Sequence, residues 1–149
     1  QQAPLLSIFG GKITTYRKLA EAAMDALSDY FPDSGSKWTA ASPLPGGNFT
    51  TRTELQTQLQ RQYPWLSESL AGRFVRSYGT LCETLLAGAT QLADLGQHFG
   101  AGLYQREVDY LTEYEWALTV EDVLWRRTKL GLRLNPKQQQ QLAEYLHES

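Results

Sequence analysis

Leu5-Leu6-Ser7-Ile8-Phe9-Gly10-Gly11-Lys12-Ile13-Thr14-Thr15-Tyr16-Arg17 opens with a short apolar run that stops at two glycines. A run of that length, closed by glycine, predicts a buried strand rather than a helix. Beyond the glycines, Ile13, Tyr16, Ala20, Ala23, Leu27 and Phe31 recur at spacings of three and four, an amphipathic helical stripe that Pro32 ends. The stretch therefore reads strand, tight glycine turn, helix, over residues 1–31. A single strand cannot satisfy its own edges. Its sheet is expected in a part of the protein that this chain does not contain, and residues 1–10 are expected to be disordered or paired with another copy.

Residues 32–50, PDSGSKWTAASPLPGGNFT, are rich in proline and glycine and read as a linker or an irregular packed loop. From residue 51 to 149 the pattern is helical, with start signals at nearly every element. Thr51-x-x-Glu54 and Thr80-x-x-Glu83 have the spacing of capping boxes. The first precedes Leu55 and Leu59 and stops at Tyr63-Pro64, and the second precedes Leu85, Leu86 and Ala89. Leu70, Phe74, Val75 and Tyr78 form a stripe that ends at Gly79. Gly96, Gly100 and Gly102 break the chain. Tyr104, Val108, Leu111 and Leu118 share a face. Thr119 is placed to cap a helix through Val123 and Leu124, with Glu121 and Asp122 in its first turn and Lys129 and Gly131 near its end. Asn135-Pro136 reads as cap and first residue of a last helix whose Leu142 and Leu146 face inward. The predicted fold is mainly α: a small helical bundle preceded by a strand–turn–helix stub.

Composition narrows the function. The 149 residues carry 14 Lys+Arg against 16 Asp+Glu, a net charge of −2. That balance argues against nucleic acid as a partner. One cysteine, Cys82, permits no internal disulfide and no cysteine-based metal site, which fits a reducing compartment. It reads as a buried inert thiol. His98 and His147 show no metal-ligand spacing, so no metal is expected. The four tryptophans read as core and packing residues. No apolar run nears the roughly 20 residues that span a bilayer. The chain begins at Gln1 and its one methionine is Met24, which suggests a piece of a longer protein.

Two places carry candidate chemistry. At Gly10-Gly11-Lys12-Ile13-Thr14, glycines let the backbone approach a ligand, and the helix that follows points amide N–H groups and a positive dipole end at it. Lys12 adds a full charge. The set suits an anion, or negative charge that develops in a reaction. On local physics alone, a glycine turn capped by threonine accounts for it as well. The second place is Leu118–Leu132, where acids precede Arg126, Arg127, Lys129 and Arg133. Asp122 and Arg126 lie four apart and can pair on one helix face. A phosphate site on Arg126 and Arg127 is the alternative to salt bridges between neighbouring helices.

LLSIFGGKITTYRKLAEAAMDAL, SPLPGG at Ser42–Gly47 and YLTEYEWALTVEDVLWRRTKLGL at Tyr110–Leu132 together resemble, in order, the C-terminal part of FAD-dependent (aerobic, respiratory) glycerol-3-phosphate dehydrogenases. The resemblance covers nearly the whole chain, and the block Trp125 to Leu132 makes it specific. It implies that residues 1–31 end an α/β FAD-binding domain and that residues 51–149 form its helical C-terminal cap. It also implies oxidation of glycerol 3-phosphate to dihydroxyacetone phosphate, with electrons passed through FAD to quinone. A homodimer peripheral on the inner, cytoplasmic face of the bacterial membrane is implied as well. By that resemblance Gly10, Gly11, Lys12, Ile13 and Thr14 touch the flavin, and Lys12 is catalytic and close to substrate. A helix start with Lys12 beside it would stabilise the negative charge that a reduced flavin gathers at its ring edge. The residues that hold the dinucleotide and the substrate phosphate fall outside this chain, so the chain alone is expected to be colourless and inactive. Two other readings stand beside this one: a helical docking or dimerisation module without chemistry, and the cap of a related flavin oxidase for another substrate.

Overall fold

A computed structural model describes residues 4–148, in two compact units divided between Leu44 and Pro45. The first unit is dominated by α1, Tyr16–Ala26. A 3-10 turn, Ile13–Thr15, leads into it, and another, Ser28–Tyr30, follows it ahead of Pro32. The strand read at Leu5–Phe9 does not form. Residues 4–12 carry no regular secondary structure, and Phe9 is 94% exposed. An extended segment becomes a strand only when neighbours take up its N–H and C=O groups, and the described residues of this unit supply none. Residues 1–3, the start of that reading, lie outside the described residues.

The helical stripe of α1 exists but stays largely uncovered, with Tyr16, Ala20 and Phe31 exposed. The most buried residue of the helix is an acid, Glu21. It accepts hydrogen bonds from Thr39 Oγ1 at 2.5 Å and Arg17 Nη1 at 2.8 Å, with Lys18 Nζ at 3.5 Å. The Thr39 hydroxyl foremost, with the charges of Arg17 and Lys18, outweighs burial and holds its carboxyl below the ordinary range.

The second unit is where the apolar periodicity finds partners. Thr51 Oγ1 accepts from the Glu54 amide at 3.2 Å and opens α2, Arg52–Gln62, which buries Leu55 and Leu59. Ser67, a cap the sequence reading passed over, accepts from the Leu70 amide at 3.3 Å and opens α3, Glu68–Tyr78. The box read at Thr80-x-x-Glu83 does not form. The chain leaves α3 through a 3-10 turn, Gly79–Leu81, directly into α4, Cys82–Leu86, so the amides that Thr80 would cap are already in helical turns. At the end of α3 two backbones cross. The Thr80 amide donates to Gly46 O at 3.0 Å, and a Cβ on Gly79 (φ +56°) would stand 1.9 Å from that oxygen. Residues 45–50 thus pack on the helical unit.

The glycine-rich punctuation around residue 100 is a β hairpin. Strand β1, His98–Gly100, pairs antiparallel with β2, Leu103–Tyr104. The two residues between them, Ala101 (φ +51°) and Gly102 (φ +77°), both take left-handed values, the mirror-image turn that suits strand twist. Next comes α5, Gln105–Glu115, with Val108 and Leu111 buried. Leu118, read on the same face, lies past the helix end and is exposed. Trp116 closes α5 in the left-handed region, and the chain turns away there before Leu118 is reached. The helix expected after Thr119 forms as a π-helical turn, Asp122–Arg127, with the Asp122 amide bonded to Thr119 Oγ1 at 3.2 Å and the Thr128 amide bonded to Val123 O at 3.1 Å. Finally α6, Pro136–Glu148, opens with a reciprocal cap: the Gln138 amide donates to Asn135 Oδ1 at 3.0 Å and the Asn135 amide to Gln138 Oε1 at 2.9 Å.

Phe74, Phe99, Leu85, Leu111, Leu124 and Leu142 meet at the centre of this unit with 1% or less of their surface exposed. Burying each such side chain contributes about 1.5–3 kcal/mol. The fold is mainly α, as the sequence predicts. No helix among the described residues is long and apolar enough to cross a membrane.

Candidate functional site

Gly10 (φ +77°) and Gly11 (φ +145°) hold the turn before the first helix in backbone conformations that favour glycine. A Cβ on Gly11 would press to 3.2 Å from Leu19 Cδ2, whereas one on Gly10 would meet open space. The turn therefore folds back toward the start of α1 and leaves its outer side open. Lys12 is extended and exposed, with no acidic partner among the described residues. Its carbonyl accepts from the Thr15 amide at 3.0 Å and from Thr15 Oγ1 at 3.1 Å. Thr15 is thus a donor here, and neither it nor Thr14 caps the helix with a side-chain acceptor, so the threonine cap expected at this turn does not form. That leaves the helix entry to its backbone amides and Lys12. Ile13 is 88% exposed beside them. Gly10, Gly11, Lys12, Ile13 and Thr14 form one open surface with a positive charge at the helix entry.

The second place named from sequence is structural. Arg126 Nη1 pairs with Asp122 Oδ1 at 2.7 Å, and Arg127 lies 3.5 Å from Glu115 Oε2 and donates to the Glu115 carbonyl. Both guanidiniums are committed: Arg126 pairs within the π-helical turn, and Arg127 ties that turn to the end of α5. Asp122 also accepts from Thr119 Oγ1 and the Thr119 amide, which with Arg126 holds its carboxyl below the ordinary range. Cys82 is fully buried, and burial, with the charge of Glu83, pushes its thiol up to about 11. Among the described residues no group of three or more His, Cys, Asp or Glu is placed to hold a metal.

The tryptophans correct an expectation. Trp65 packs at the core, edge-on to Tyr63 at 5.7 Å, but Trp38, Trp116 and Trp125 are exposed. The left-handed conformation of Trp116 turns its ring outward, to 82% exposure.

Sequence reasoning missed a buried polar cluster that joins α3, α5 and the hairpin. Glu107 is completely buried and accepts two parallel bonds from Arg73 and one from the Tyr78 hydroxyl at 2.5 Å. Arg73 also donates to Gly102 O at 2.5 Å. Burial opposes the Arg73 charge, yet the bonds and charge of Glu107 outweigh it and raise the guanidinium above its ordinary value. Burial first, then the Glu107 charge, drives the Tyr78 phenol far above its usual range. No local pattern announces partners 34 positions apart.

The fold is a helical domain that follows a glycine-turn–helix segment in the sequence. The chain belongs to the family described as the C-terminal domain of alpha-glycerophosphate oxidase, whose model matches residues 37–148. It is similar to a glycerol-3-phosphate dehydrogenase of Pseudomonas aeruginosa, 55% identical over 146 residues that cover 97% of this chain and 28% of the relative. It is also similar to the aerobic glycerol-3-phosphate dehydrogenase of Escherichia coli, 47% identical over 99% of this chain and 30% of the relative. A D-erythritol 1-phosphate dehydrogenase of Brucella abortus is 43% identical over 96% of this chain and 29% of its own. The chain spans less than a third of the length of these curated relatives.

Proposed function

We propose that this chain is the C-terminal part of an FAD-dependent glycerol-3-phosphate dehydrogenase. The whole enzyme oxidises glycerol 3-phosphate to dihydroxyacetone phosphate and delivers the electrons to quinone. In this reading it is a homodimer, peripheral on the inner face of the bacterial cytoplasmic membrane. The supporting observation is the open Gly10–Thr14 turn at a helix start, in a chain that aligns over 97% of its length with a glycerol-3-phosphate dehydrogenase.

The flavin, when bound, supplies the hydride acceptor. The residues of this chain supply electrostatics. Gly10 and Gly11 keep side chains out of the approach, and the amides at Ile13 and Thr14 present the positive end of the helix. Lys12 carries a mobile ammonium toward negative charge at the ligand edge and toward the substrate.

In the full-length enzyme, Lys12→Ala is expected to lower kcat by about 10²–10³, the usual effect of removing a preorganised charge stabiliser, with flavin still bound. Unchanged turnover would remove Lys12 from the chemistry. The likeness to a D-erythritol 1-phosphate dehydrogenase favours a second reading, in which the substrate is a longer polyol phosphate. Comparing kcat/KM for glycerol 3-phosphate and erythritol 1-phosphate decides between the two. This chain alone, mixed with FAD and desalted, is expected to show no visible flavin absorption.

A further inference from the structure

We propose that the groove between α2, α3 and the β hairpin is a binding site for a small soluble phosphomonoester, held by Arg76 and Arg133. The groove has a volume of about 720 Å³, within the range of small-molecule sites. Three guanidiniums line it, those of Arg73, Arg76 and Arg133, against one carboxylate, Glu68. The three are not equivalent. Arg73 is neutralised from behind by the buried Glu107 and is fixed in place. Arg76 and Arg133 are exposed and have no carboxylate partner among the described residues, unlike Arg17, Arg126 and Arg127. In a chain with more acids than bases, two uncommitted guanidiniums from well-separated segments facing one concavity concentrate positive charge there. Guanidinium forks match phosphate oxygens with paired N–H donors.

The surroundings suit the same ligand. Ser69 Oγ lies 3.2 Å from Ser67 Oγ at the rim and offers a hydroxyl. Gly72 sits where a Cβ would stand 3.2 Å from the Gln56 side-chain oxygen and 3.4 Å from Arg76 Nη1, so its bare backbone lets both side chains lie over the groove. The His98 ring closes the hairpin side, its Nε2 accepting from the Gly102 amide at 3.2 Å. None of the large apolar side chains exposed among the described residues lines the groove. A phosphate on a lipid surface would need such apolar neighbours to anchor it, whereas a dissolved ester does not. This site belongs to the helical unit and does not depend on the role of Lys12.

Calorimetric titration of the chain with inorganic phosphate and with glycerol 2-phosphate, at constant ionic strength in chloride, tests the proposal. Binding of both is expected, weakened about tenfold or more in Arg76→Gln and in Arg133→Gln. Arg52→Gln, outside the groove, is expected to bind as the parent does. Circular dichroism confirms that each variant is folded. The amide resonances of Gly72 and Gly102 are expected to move with phosphate. No binding above chloride overturns the proposal, and so does an equal loss in Arg52→Gln. Binding to phosphatidic acid vesicles without binding to either soluble phosphate would likewise overturn it.

Discussion

Arg73 and Glu107 meet through two parallel hydrogen bonds, Nη1 to Oε1 at 2.6 Å and Nη2 to Oε2 at 2.5 Å, and so join α3 to α5. The carboxylate is completely buried, and the guanidinium side chain is 13% exposed. Removing one partner would leave an uncompensated charge in the interior. Glu107→Ala is expected to cost about 3–5 kcal/mol in urea unfolding. The double variant Arg73→Met/Glu107→Leu is expected to recover much of that loss, because apolar partners leave no stranded charge. A single variant within about 0.5 kcal/mol of the parent would contradict the structural role assigned to the pair.

Gly79 and Gly88 make a controlled comparison. Both have positive φ, +56° and +77°. A Cβ at Gly79 would collide with the backbone of Gly46, while one at Gly88 would meet nothing within 4 Å. Gly88→Ala is therefore expected to cost only the conformational penalty, about 1–2 kcal/mol. Gly79→Ala is expected to cost distinctly more, since a backbone must move as well. Melting curves of the two variants check the order, and equal losses would show that the crossing at Gly46 is not tight.

Asp94 tests the pH dependence. Its carboxylate accepts from the Thr90 amide at 2.7 Å, the Thr90 hydroxyl at 2.9 Å, the Gln91 side chain at 3.1 Å and the Gln91 amide at 3.2 Å. These bonds, those of Thr90 foremost, bring it down to about 2 from an ordinary 3.8. A carboxyl lowered by folding stabilises the native state above its unfolded value, and that contribution is lost as pH falls through the folded one. The stability difference between the parent and Asp94→Asn is thus expected to be complete near neutrality and to shrink between pH 3.8 and about 2. Denaturant titrations across that interval read it. A difference that stays constant would mean the bonds do not depend on charge.

Cys82 is expected to resist thiol reagents in the folded chain, with its thiol pushed up to about 11 and no exposed surface. Labelling should follow the fraction unfolded as denaturant is added. Rapid labelling without denaturant would place the side chain outside the core.

Elements with local chemical signals were legible in the sequence. Thr51, Asn135 and the leucines of α2 and α6 carry both cap and periodicity. Leu5–Phe9 carries strand propensity, but that is only half of a strand, and the pairing edge is not encoded in the segment. The hairpin at His98–Tyr104 was hidden because strands of three and two residues are too short for alternation, and Ala101 is an unusual residue for a left-handed turn. At the candidate site, the turn from Gly10 to Thr14 was legible because its residues are contiguous. The groove of Arg76 and Arg133 was not, since those residues converge only after α3 and the segment before α6 have packed.

The wide turn at Asp122–Arg127 has a geometric effect. Each residue advances a regular helix by about 100°, so one surplus residue inside a hydrogen-bonded loop acts as an angular spacer. Val123 and Leu124 point into the interior, while Arg126 and Arg127 emerge on bearings that reach Asp122 and Glu115 separately. Excising one residue from this loop would rotate everything downstream by roughly a quarter of a revolution, and Arg127 would swing away from Glu115 even though both side chains were still present.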